Sequence, residues 1–149
     1  MKNIRVFSFV VKYFGFLKVI PLAPHLFDSM LRLWSLLTKV ETLKWIDEIE
    51  SEILSWSGTT VSLHKYGGLQ FNVKGEEFGH LHSNGLMDVL YSKKQKQQLM
   101  EEGRISAHHL FSQTGWISFL IKSESDMKYA INLLRTSYYN KMNISSKIA

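Results

Sequence analysis

His80 and His82 stand two apart in the run Glu77-Phe78-Gly79-His80-Leu81-His82-Ser83-Asn84-Gly85-Leu86-Met87-Asp88. Side chains alternate along an extended strand, so both imidazoles point the same way. Asn84-Gly85 predicts a tight I′ hairpin turn, which needs positive φ at both central residues. The returning strand then brings Asp88 up to the two histidines. Such a set can hold a divalent transition metal or move a proton near neutral pH. Its members can equally bond only to one another. A second pair, His108-His109, precedes the strand that begins at Gly115-Trp116. If that strand joins the same sheet, one of the pair reaches the same patch, and His109 is the nearer. The expected catalytic set is therefore His80, His82, Asp88 and His109, and the expected metal set is His80, His82 and Asp88. His108, Arg104 and Trp116 are candidate ligand contacts.

Each of these residues also has a purely structural reading. Phe78 shares parity with His80 and His82, which would turn all three toward a core. A buried histidine bonded to Asp88 would then only hold the hairpin. Arg104 could grip a carboxylate or phosphate with two parallel hydrogen bonds, or pair with Glu101 or Glu102. Trp116 could line a pocket or pack beneath helices. His64 shares a face with Ser62 and Tyr66 and reads as a surface or edge residue. Ser118 has no base partner legible in sequence, so no serine nucleophile is proposed.

The elements that must position this patch are marked by a change of period. Leu26, Phe27, Met30, Leu31, Leu33, Trp34 and Leu37 follow helical spacing after Pro24. Thr38 with Glu41 three residues on reads as a capping box for a second helix over 39–54, buried through Leu43, Ile46, Ile49 and Ile53. Beyond Gly58 the period becomes two. Short strands are expected over 60–66, 69–73, 78–82 and 87–91, joined by tight glycine turns into an antiparallel meander. A helix over 92–102 ends at Gly103. Its lysines sit at the start and its glutamates at the end, which opposes the helix dipole, so it depends on tertiary packing. A strand over 116–121 puts Trp116, Ser118 and Leu120 on one face and Ile117, Phe119 and Ile121 on the other. The last helix opens at Ser123 and buries Met127, Ala130, Ile131, Leu134 and Tyr138. A polar tail begins at Asn143.

The chain of 149 residues suits one domain with an added segment. It contains no cysteine, which excludes disulfides, thiolate nucleophiles, iron–sulfur clusters and cysteine-type zinc sites. The net charge of +5 is carried entirely by residues 1–40, with six basic residues against Asp28 alone; residues 41–149 balance at twelve of each sign. That asymmetry fits contact with an anionic membrane surface, or simply a solvated rim. Residues 1–22 are apolar but broken by Lys12 and Lys18, so neither a spanning helix nor a secretory signal is expected. Their apolar side chains make homo-oligomers a candidate too.

The segment 56–140 resembles the luciferase-domain family. The shared pattern runs from Gly79-His80-Leu81-His82 through Gly85 and Asp88 to Glu102-Gly103-Arg104 and His108-His109. It continues with Gly115-Trp116-Ile117-Ser118-Phe119, Asp126 and Leu133-Leu134-Arg135, ending at Tyr138. The resemblance implies a compact domain preceded by an added, sometimes membrane-associated, N-terminal segment. It implies no particular reaction.

The sequence thus predicts an α+β fold: an antiparallel sheet of about five strands with helices on one face. Residues 1–55 form a basic helical extension, 56–142 the domain and 143–149 the tail. The expected location is cytoplasmic, with membrane association open. The leading function is a small-molecule site, enzymatic or binding, at the His/Asp cluster. There is no flavin or nucleotide motif, and the cofactor left open is a divalent transition metal. A membrane- or partner-binding module is the alternative. Nucleic-acid binding through Lys93, Lys94, Lys96 and the N-terminus ranks last.

Overall fold

The computed structural model describes residues 25–26, 28–31, 33, 40–108 and 110–146. Residues 1–22 of the expected helical extension and the Thr38 cap lie outside them. The described residues between 25 and 33 are helical, as their spacing predicts. Helix α1 (Val40–Leu54) buries Ile46, Ile49 and Ile53 of the expected stripe, leaves Leu43 half-buried and adds Thr42.

Four strands follow as a meander: β1 (Thr59–Leu63), β2 (Leu69–Val73), β3 (Glu76–Leu81) and β4 (Leu86–Leu90). Helix α2 (Lys93–Glu101) leads to a two-residue strand β5 (Ser106–Ala107), then β6 (Trp116–Leu120) and helix α3 (Glu124–Ser146). The sheet order is β1-β2-β3-β4-β6-β5, antiparallel throughout. Six strands replace the five expected, because β5 is too short to carry a period. Helix α3 runs on to Ser146, past the expected start of the tail.

The register gives the sheet two unlike faces. Val61, Phe71, Gly79, Val89, Ile117 and Ala107 lie side by side across all six strands. The next row along reads Ser62, Gln70, His80, Asp88, Ser118 and Ser106. Alternation sends the two rows to opposite faces. Helices α1 and α3 cover the apolar face: Phe78 packs on Trp56 and Tyr138, and Phe119 on Tyr129.

A bulge removes the parity expected of Phe78. Phe71 pairs with Gly79, but Asn72 pairs with Glu77, so Phe78 is the extra residue on β3. It turns under the helices with no exposure, while Glu77 and His80 both face the other side. Burial of that ring contributes about 2 kcal/mol. The histidines therefore do not belong to the apolar core.

The turns differ from expectation in one respect. Lys74 and Gly75 both have positive φ and form the two-residue loop between β2 and β3, the I′ pattern. At Asn84-Gly85 only Gly85 is left-handed. Bonds from Gly85 N to His82 O and from His82 N to Leu86 O close a three-residue loop instead. The pairing of His80 with Asp88 survives this change.

Candidate functional site

Asp88 has no solvent exposure and sits at the centre of the polar row. Ser118, its neighbour on β6, donates to Oδ1. Three imidazole Nε2 atoms surround Oδ2: His80 at 3.1 Å, His108 at 3.5 Å and His82 at 4.0 Å. None is aligned on Oδ2 as a hydrogen-bond donor. The other ring nitrogen of His80, Nδ1, lies 2.6 Å from Glu77 Oε1. His80 is thus held between two carboxylates, one buried and one partly open to solvent.

His64 completes the group from the end of β1. Its ring lies on that of His80, with centroids 3.9 Å apart and planes 11° from parallel. Its Nε2 is 3.8 Å from Glu77 Oε1, and its Nδ1 is buried with no hydrogen-bond partner among the described residues. Trp116 borders the group, 5.4 Å from His80 and 6.3 Å from His108 between ring centroids.

Electrostatics divides the protons. Burial works against a charge on His80, but contact with Asp88 and Glu77 outweighs it and lifts its pKa to about 9. Burial, with the charge on His80 next, lowers His64 to about 4, despite the pull of Glu77. Burial works against a charged Asp88 as well; His80 and the other imidazoles still bring it down to about 2. Near neutral pH His80 is an imidazolium, His64 is neutral and Asp88 is ionised.

Two sets of atoms are close enough to suggest a metal: His64, Glu77 and His80, and His80, Asp88 and His108. Their geometry disfavours both as arranged. Parallel rings 3.9 Å apart cannot aim two in-plane lone pairs at one ion about 2.1 Å from each. His108 Nδ1 accepts from Leu110 N and Phe111 N, so a neutral ring carries its proton on Nε2, the atom facing Asp88.

Of the sequence-expected residues, His80, His82, Asp88, His108 and Trp116 come together. His109 lies outside the described residues. His108 reaches Asp88, because Ser106 opposes Ser118 and parity carries residue 108 to the same face. Arg104 contacts other residues, its guanidinium 3.8 Å above the Tyr129 ring and 3.5 Å from Asp126. His64, expected at a surface or edge, is buried. Glu77 and Ser118 were missed as members. Parity with His80 offered a signal for Ser118 once strand order was known, whereas Glu77 depends on the bulge. Asp28, another unforeseen contact, accepts from the backbone and hydroxyl of Ser83, beside His82.

Residues 75–137 match the family model of the luciferase domain. That span includes Glu77, His80, His82, Asp88, His108 and Ser118 but leaves out His64. No curated protein and no solved structure matches the chain. Among the described residues no helix is long and apolar enough to cross a membrane.

Proposed function

We propose that the Asp88 row is a small-molecule site that transfers protons. One observation carries this reading: two buried polar atoms on the same face, His64 Nδ1 and Asp88 Oδ2, form no hydrogen bond with any described residue, Oδ2 having only the ion-pair contact of the imidazoles around it. Folded proteins rarely leave such atoms unmatched outside sites with a task. A hydroxyl ligand would meet His64 Nδ1 as an acceptor, and a group seated at Asp88 Oδ2 would compete for the His80 Nε2 proton that faces that carboxylate. Ser118 holds Asp88 in place, and Glu77 links His80 to solvent. His82 and His108 flank the same carboxylate and would touch the ligand.

The probe is 4-nitrophenyl acetate, whose hydrolysis an unprotonated imidazole speeds as nucleophile or as base. Wild-type hydrolysis should exceed that of His64→Leu, and the variant should be no less stable. Equal rates with a loss of stability would make His64 scaffold. Metal content is measured alongside. Near-stoichiometric metal, lost in a folded His80→Ala/His82→Ala variant, would replace this reading with a divalent metal held by His80, His82 and Asp88.

A second reading is favoured by Leu26, Met30 and Leu33, which are 65%, 63% and 59% exposed at helical spacing. Together with the basic excess of residues 1–40, this stripe suits an anionic membrane surface. Sedimentation with anionic vesicles tests it. Equal binding by wild type and a Leu26→Ser/Met30→Ser/Leu33→Ser variant would end it.

A further inference from the structure

Lys96 lies on α2, outside the polar row, yet it is only 8% exposed. Its Nζ donates to Ser112 O at 2.7 Å and to Thr114 O at 2.8 Å. Both carbonyls belong to the loop from 108 to 115. One end of that loop is His108, whose Nε2 faces Asp88. The other end leads into Trp116, whose ring borders His80. A lysine carries a high desolvation cost, so its burial against two backbone carbonyls needs a compensating reason. Burial lowers its pKa from the usual lysine value, with Lys93 adding to the effect.

We infer that Lys96 is a positioning residue for His108, holding the loop so that this imidazole presents one tautomer to Asp88. The chain of contacts is short. Lys96 pins Ser112 and Thr114. Thr114 N donates to Phe111 O, closing the turn between them. That turn fixes the Leu110 and Phe111 amides, which donate to His108 Nδ1 at 3.1 and 3.2 Å. With Nδ1 committed as an acceptor, the proton of a neutral ring stays on Nε2. The inference rests on the proton-transfer reading for its purpose, but its structural content stands apart. It also withdraws Lys96 from the basic cluster that the sequence offers to nucleic acid.

The test is nitrogen-detected NMR of the imidazoles, with amide exchange, in wild type, Lys96→Met and Lys96→Arg. In wild type His108 should show one protonated and one acceptor nitrogen. Lys96→Met should lose this single-tautomer signature and speed Leu110 and Phe111 exchange about tenfold, roughly the worth of one charge-assisted hydrogen bond. Lys96→Arg should restore part of both, and the His64 and His80 signals should stay in place. If Lys96→Met does not fold, Lys96→Gln keeps a donor of shorter reach and is read the same way. Unchanged His108 nitrogens in a folded variant would overturn the inference, whatever becomes of ester hydrolysis. Loss of hydrolysis with His108 unchanged would likewise count against it.

Discussion

The His64 ring lies flat on the His80 ring, 3.9 Å between centroids, and only His80 is held between carboxylates. Two imidazolium rings in that contact repel, so the carboxylates decide which one keeps the proton. Sheet register makes the choice. It puts Asp88 opposite His80, while the bulge turns Glu77 to the same side.

Stability should peak near pH 6.5 over the range in which these rings titrate. Both rings have an ordinary value of 6.5. Folded His80 keeps its proton to about pH 9, so between 6.5 and 9 the folded state binds more protons and stability falls as pH rises. Folded His64 stays neutral down to about pH 4, so between 6.5 and 4 the unfolded chain binds more protons and stability falls as pH drops. Urea midpoints across pH 4 to 9 measure both limbs. His64→Leu should flatten the acid limb and spare the alkaline one.

Ser118→Ala should cost about 2 kcal/mol, since it removes the donor to a fully buried carboxylate oxygen. The Asp88 pKa should rise with it, because a bond to the charged form is lost. Carboxyl carbon NMR and chemical denaturation read the two effects. A stable variant with an unchanged Asp88 would argue that Ser118 is incidental.

Gly115→Ala should be among the most damaging small changes. A Cβ there would lie 1.7 Å from Tyr91 O, which is backbone and cannot step aside. Tyr91 N also bonds to Gly115 O, so displacement would disturb the β4–β6 junction. A loss of about 3 kcal/mol or more is expected. Gly58→Ala makes a demanding control: its positive φ already strains an added side chain, yet nothing lies within 4 Å of the added carbon. Comparable melting temperatures for the two variants would contradict the packing argument.

Asp28→Ala should cost about 1 kcal/mol, because Asp28 joins the helical residues between 25 and 33 to Ser83 through two bonds. Limited proteolysis ahead of α1 should quicken while the rest of the domain keeps its resistance. An unchanged cleavage pattern would show that other contacts hold this helix.

What could be read from the residues follows from what is local. His80, His82 and Asp88 fall within one hairpin, so period-two alternation and a glycine turn were enough to unite them. Trp116 and Ser118 were placed on one face correctly, for the same reason. His64 was not legible, because its contact with His80 crosses β2 and depends on strand order. Glu77 was hidden by the Phe78 bulge, which breaks the alternation used to find it. The reach of His108 to Asp88 depends on β5, two residues long and without a pattern of its own. Lys96 looked like one lysine among three, since no sequence feature announces that its ammonium turns inward to two backbone carbonyls.

The row that gathers the site also sets the order in which it can form. Contacts from β1 to β4 join sequence neighbours, so His80 and Asp88 meet by closing one short loop, at little entropic cost. Ser118 and His108 arrive only after the chain has passed through α2 and β5 and β6 has docked beside β4. Without β6 the carboxylate would be paired on one flank and open to water on the other. Full desolvation of Asp88 therefore requires the long-range pairing of β4 with β6. Variants that weaken β6 docking should therefore open Asp88 to water, whereas changes confined to β1 should leave that flank covered.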